Sequence, residues 1–263
     1  MINSSVPVQK IGSYFEIDND GYVTNPSSLE KLQAEWKPLI DEVVEAYKRH
    51  SGDTLHSIYV RGSVARGKAI TGISDVDSYA YTTQEGKLDK TWMKEEEETL
   101  LKRFPFAEGI EFSLDLLKFA EEDHVMLAQS VCLYGTDLTI QAPKLKPGRD
   151  MVVHVLTLGK RLEWLEKRLQ QIDSEEDIKK ACLWLMKTFL RSGFELTMPL
   201  SGMYTRDLYP CYETFSKYYP DRESQMCEFL RLALNPIADK KTLRVMAREF
   251  GGWLQEEAKR VYT

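Results

Sequence analysis

The chain has 263 residues, 43% hydrophobic and 29% charged, with a formal net charge of −6 and a pI near 5.4. That length and balance suit one large globular domain or two modest ones, and they argue against a general nucleic-acid-binding surface, which would carry a basic patch and a domain pI above about 9. Four scattered cysteines with no C-x-x-C pair, four histidines without ligand spacing, an N-terminus lacking a basic-then-apolar leader and no apolar run near ~18 residues exclude a disulfide framework, a zinc site and a membrane span as expectations, and predict a cytoplasmic protein.

Residues 29 to 47 place Leu29, Leu32, Trp36, Ile40, Val43, Val44 and Tyr47 mostly three or four apart, behind the capping candidates Ser27 and Ser28; the pattern predicts an amphipathic helix bent at Pro38. "LHSIYV" then reads as a strand, and "VDSYAYT" as a second one after the breaker Gly72. "KEEEETLLKRF" continues as a helix with a solvated acidic face. "IEFSLDLL" alternates, with Ile110, Phe112, Leu114 and Leu116 on one face and Glu111, Ser113 and Asp115 on the other, which predicts one half-buried strand.

From "KPGRD" onward helical patterns replace alternation, so a boundary is expected near residue 147, dividing the chain into 1–147 and 148–263. The later part offers "VVHVLTLGKRLEWLEKRLQQI", "EEDIKKACLWLMKTFLRSGFEL", "YTRDLYPCYETFSKYYP" and "KTLRVMAREFGGWLQEEAKRVY" as helical stretches. In the second of these, "ACLWLMKTFLR" is apolar on nearly every side, yet Lys187 and Arg191 lie four apart on one face. Two like charges in a mostly buried helix are costly unless an anion is near. The other reading is that Arg191 lies at a helix C-terminus before Gly193 while Lys187 snorkels to water.

The stretch "YVRGSVARGKAITGISDVDSYAY", residues 59 to 81, concentrates the chemistry. Part of it approaches the G-x-x-x-x-G-K-[ST] loop, but Ala69 stands where the Mg²⁺-binding hydroxyl belongs and "AITGISD" does not continue as a helix. A turn at Gly62-Ser63 brings N–H groups and a hydroxyl close to a phosphate, because glycine has no Cβ in the way, and Arg66 adds charge-assisted contacts. Asp75 and Asp77, two apart on a strand, project from one face about 6.5 to 7 Å apart. Hard oxygen ligands of that kind suit Mg²⁺ with substrate phosphates.

Gly-Ser-x-Ala-Arg-Gly, six residues, then Ser-Asp-x-Asp ("GSVARGKAITGISDVD") resembles the nucleotidyltransferase signature of the DNA polymerase β-like superfamily. Within it the chain is similar to the streptomycin/spectinomycin adenylyltransferases of the aminoglycoside-resistance group. The resemblance implies an α+β fold: a mixed sheet with helices, followed by an all-α helical domain that completes the nucleotide and acceptor cleft. It implies ATP as substrate, two Mg²⁺ ions and a small-molecule hydroxyl acceptor. Asp75 and Asp77 would bind metal, and Glu111 in "IEFSL", with Asp115 as the alternative, would complete the metal site or act as base. Gly62, Ser63, Arg66 and Ser74, with Lys187 and Arg206 further along, would meet the nucleotide, and Asp177 a cationic acceptor. "VCLYGTDL" resembles a stretch that closes the catalytic domain in such proteins and reads as structural. The loop carries one residue more before Ser-Asp than the close antibiotic-modifying group, which bears on the acceptor. Two further readings are a nucleotidyltransferase acting on a protein or RNA, and an inactive nucleotide-binding module, which the intact Asp75, Asp77 and Glu111 disfavour.

Overall fold

The computed structural model describes residues 10–83 and 88–263; residues 1–9 of the N-terminal stretch lie outside them. The chain divides into two compact units, one of residues 24–145 and one of residues 146–263 together with the segment up to Val23. The first is built on a mixed sheet and the second on helices, an α+β arrangement. No helix among the described residues is long and apolar enough to cross a membrane.

In the unit of residues 24–145, strands β1 (Leu55–Arg61), β2 (Val76–Thr82), β3 (Ile110–Glu111), β4 (Leu114–Leu116) and β5 (Val131–Gly135) form the sheet. Its order is β3-β2-β1-β5, with β4 also pairing β2. β1 runs antiparallel to β2 and β5, while β3 and β4 run parallel to β2. Helices α1 (Lys37–Ser51), α2 (Gly62–Ala65), α3 (Trp92–Arg103) and α4 (His124–Leu127) complete the unit. Ile58, Val60, Val76 and Ala80 join Val43, Tyr47 and Leu100 in one apolar cluster. The alternate residues Tyr59, Tyr79 and Tyr81 form a second cluster with Ala120 and Leu127. The central strands are therefore covered on both faces, as the period of two requires.

Two elements differ from expectation. The predicted helix over 29–47 is a 3₁₀ turn at Leu29–Lys31 followed by α1, which starts at Lys37. Pro38 does not bend a helix but opens one, since its missing N–H costs nothing in the first turn. The predicted single strand over 110–117 is interrupted between β3 and β4, where the Ser113 N–H turns to the buried Tyr47 hydroxyl while its carbonyl still accepts from Ala80 N–H of β2 at 2.8 Å. Ser113 N–H donates to Tyr47 Oη at 2.9 Å, and that hydroxyl reaches the Ser113 carbonyl at 3.1 Å and Ser78 Oγ at 3.2 Å. Ser78 Oγ in turn donates to the Glu111 carbonyl at 2.7 Å.

The second unit contains α5 (Leu158–Gln171), α6 (Glu175–Ser201), α7 (Leu208–Tyr218), α8 (Glu223–Leu234) and α9 (Lys240–Tyr262). The described part of the N-terminal segment, residues 10–23, groups with this unit. Ser13 N–H donates to Asp207 Oδ2 at 3.0 Å, Phe15 N–H to the Tyr204 carbonyl at 2.8 Å, and the Phe15 and Tyr204 rings meet edge to face. α6 continues past Gly193, where a Cβ would come within 2.6 Å of Met226 and 2.9 Å of Phe215; the glycine allows close helix packing, and Arg191 is not at a C-terminus.

Residues 152–157, expected to be helical, form turns before α5. The backbone N–H groups of Val153, His154 and Val155 all donate to the buried Glu195 carboxylate of α6, and His154 Nδ1 lies 2.9 Å from it. Burial holds the His154 imidazole well below its ordinary value, at about 4, so at neutral pH it is uncharged. Burial opposes the Glu195 charge, but its contacts with His154 and the backbone donors outweigh that and hold the carboxyl below the usual range.

Two outcomes follow from these networks. Tyr47→Phe strips a buried donor-acceptor from Ser113 and Ser78, and urea unfolding should show a loss of about 1–3 kcal/mol. Below pH 6.5 the unfolded chain protonates His154 while the folded chain does not until about 4, and Glu195 adds a loss in the same direction as pH falls through its depressed folded value. Thermal melts should therefore show stability declining from pH 6.5 towards 4, and less steeply in His154→Gln.

Candidate active site

The strand ends of β1, β2 and β3 bring four charged residues to one edge of the sheet. Arg61 is paired with Asp77 across β1 and β2, and Asp77 with Glu111 across β2 and β3. The three side chains share a face with Asp75, which is exposed one pleat before Asp77, while Val76 and Ser78 turn inward. Arg61 Nη2 lies 3.5 Å from Asp77 Oδ1 and 3.5 Å from Glu111 Oε2. Asp115 falls opposite Tyr81, about 13 Å further down the strand by its rise, so Glu111 is the carboxylate beside Asp77.

The Gly62-Ser63 turn sits against Asp77. β1 ends at Arg61, Gly62 takes φ +77°, and the four residues Gly62–Ala65 form the short helical turn α2. A Cβ at Gly62 would stand 2.3 Å from Asp77 Oδ2, so both the backbone conformation and the contact demand glycine. Arg66 Nε donates to the Gly62 carbonyl at 3.2 Å, keeping its guanidinium by the turn. Ser74 is buried, and its hydroxyl accepts from the Ile70 N–H at 2.9 Å, so it shapes the loop leading into Asp75.

The Glu111 carboxyl is pushed up to about 7. Lost hydration contributes most and Asp77 beside it next, with Arg61 opposing; with 57% of that side chain open to solvent, the crowding by Asp77 is the firmer of the two causes. A groove of about 470 Å³ opens beside Asp75 and Glu111, lined also by Met93, Phe112 and the two lysines Lys90 and Lys94. Among the described residues, no three acidic, histidine or cysteine side chains converge as a metal-holding group.

The structure thus gathers Asp75, Asp77, Glu111, Gly62, Ser63 and Arg66 in one unit. Lys187, Arg206 and Asp177 belong to the helical unit. Lys187 is half-buried on α6, one turn before Arg191, whose Nε donates to the Arg206 carbonyl at 3.3 Å. Arg206 and Arg191 both act electrostatically on His154, and Glu195 and Arg206 on Arg161 of α5. Asp177 lies in the first turn of α6, about 15 Å along the helix from Lys187 by its rise. It accepts from Ser174 Oγ at 2.6 Å, its own N–H donates to that oxygen, and Arg168 stands 3.7 Å away; this is a capping arrangement.

Sequence reasoning missed Arg61, whose signal was its place one residue before the Gly-Ser turn, and it missed Tyr47 and Ser78, which anchor the backbone at Glu111. No family model matches the chain, and no curated protein matches it in sequence. Among solved structures, the spectinomycin adenyltransferase of Enterococcus faecialis, crystallised with ATP and spectinomycin, is similar at a TM-score of 0.43 and 13% identity, over 85% of this chain and 99% of that one. At that level of likeness the chain's own residues carry the functional assignment.

Gly62→Ala should force Asp77 aside and place a side chain in the left-handed region, at a cost of about 1–2 kcal/mol. Thermal melts should show that modest loss with the fold retained. An unchanged melting temperature would contradict the tight Gly62–Asp77 contact.

Proposed function

We propose that the chain is a nucleotidyltransferase that moves a nucleoside monophosphate, AMP in the first instance, from the triphosphate to a hydroxyl group and releases pyrophosphate. The observation that carries the reading is the contact of the Gly62-Ser63 turn with Asp77, which stands in register with Glu111 and one pleat from Asp75. Phosphoryl chemistry of this kind asks the protein mainly for positioning and for management of charge, and this edge offers both.

The donor set fits Mg²⁺, which takes one or two carboxylate oxygens and fills the rest of its shell from phosphates and water. Asp75 and Asp77 would hold it, and when bound it would offset the negative charge of the phosphates. The Gly62-Ser63 turn receives the phosphate chain, with Arg66 adding its guanidinium. Glu111 orients the acceptor hydroxyl and takes its proton as the oxygen bonds to the α-phosphorus; the bond from that phosphorus to the bridging oxygen breaks, and pyrophosphate leaves with its electron pair. Lys187 and Arg206 supply cations for phosphate on the helical unit.

For the acceptor, the sequence resemblance puts an aminoglycoside-type antibiotic first. The lysines lining the groove beside Glu111 are a reason to extend the search to uncharged and anionic hydroxyl compounds. The test is pyrophosphate release from ATP and Mg²⁺ with streptomycin, spectinomycin, other aminoglycosides, lincosamides and sugar phosphates as acceptors. Release with one acceptor, reduced at least about 100-fold in Asp77→Asn with an unchanged melt, is expected. Equal release in wild type and Asp77→Asn would remove Asp77 from the reaction.

A further inference from the structure

Arg61 has a part that the carboxylates alone do not explain. It is the last residue of β1, in direct register with Asp77, which is in direct register with Glu111. Its guanidinium reaches one oxygen of each at 3.5 Å. A guanidinium is a planar, delocalised cation whose forked donors suit carboxylate oxygens. The side chain is only 26% exposed, which limits its freedom to swing away.

The opposite oxygen of Asp77 is also committed. Oδ2 faces Gly62 so closely that a Cβ there would be 2.3 Å away, while Oδ1 faces Arg61. Asp77 therefore meets a fixed cation on its Glu111 side and the glycine turn on another. Asp75 lies one pleat away on the same strand face, and these two are the carboxylates that the proposed function assigns to a divalent ion.

We propose that Arg61 takes the place of one of two divalent cations, so that the site holds a single divalent ion, at Asp75 and Asp77, with the guanidinium filling the seat between Asp77 and Glu111. A second dication in that seat would lie against a permanent positive charge while competing for the same carboxylate oxygens. Glu111, bridged to Arg61, is then a group that orients the acceptor and not a ligand. Arg61 is a positioning residue: it acts through the two carboxylates it holds. The inference rests on the nucleotidyl-transfer reading of this site.

The test counts metal ions directly. Wild type, Arg61→Met, Arg61→Gln and Arg61→Lys are dialysed to equilibrium against Mn²⁺ and α,β-methylene-ATP, and the manganese retained per chain above the protein-free compartment is measured, with a thermal melt to verify folding. Expected is one ion per chain in wild type and in Arg61→Lys, which keeps the cation, and two in the neutral variants. Having two neutral variants guards against one of them failing to fold. Two ions in wild type would overturn the assignment, as would one ion in folded Arg61→Met and Arg61→Gln. No retained manganese in wild type would instead strike the nucleotidyl-transfer reading itself, and the two failures are told apart by that count.

Discussion

The structure turns on like charges held together at the end of three adjacent strands. Asp75, Asp77 and Glu111 share one face of the sheet, and in water they would repel one another apart. What keeps Asp77 and Glu111 in register is the backbone pairing of β2 with its neighbours and the Arg61 guanidinium set between them. Asp75 is exposed beside them, and a glycine turn that brings the backbone close lies against Asp77. Carboxylates gathered at one strand end favour cationic company, and Arg61 supplies part of it here.

Most of the unit of residues 24–145 serves to hold those strand ends still. The aliphatic cluster against α1 and α3 and the tyrosine cluster on the other face bury β2 on both sides, so it cannot slip without turning apolar residues outward. Tyr47 and Ser78 close the gap between β3 and β4, and one of their bonds ends on the carbonyl of Glu111 itself. The hydroxyls deep in the core thus fix the backbone from which the Glu111 side chain reaches the rim. In the helical unit a comparable device operates with reversed polarity: the buried Glu195 carboxylate gathers three backbone N–H groups and an imidazole and fixes the turn that leads into α5.

Much of this was legible in the residues. β1 and β2 follow from alternation bounded by glycine, α6 from its apolar run, and the shared face of Asp75 and Asp77 from the period of two alone. What the sequence could not disclose depended on distant partners. Nothing local predicts that Tyr47 will interrupt the strand after Glu111, that Glu195 will hold Val153 to Val155 out of a helix, or that the N-terminal segment will dock on Asp207 and Tyr204. Arg61 escaped notice because its meaning comes from register: it reads as an ordinary strand-end charge until β2 and β3 place two carboxylates against it. Pro38 misled by position, since the same residue that breaks a helix interior is at home in its first turn.

The central claim is that this edge transfers the α-phosphoryl group with its nucleoside and not the terminal phosphate. The measurement that addresses it most directly is to incubate the protein with Mg²⁺ and an acceptor pool, using ATP labelled at the α-phosphorus in one arm and at the γ-phosphorus in the other, and to follow where each label goes. The account predicts that the α label appears in a new acceptor adduct while the γ label leaves as pyrophosphate. Passage of the γ label to the acceptor, with ADP as the other product, would contradict it.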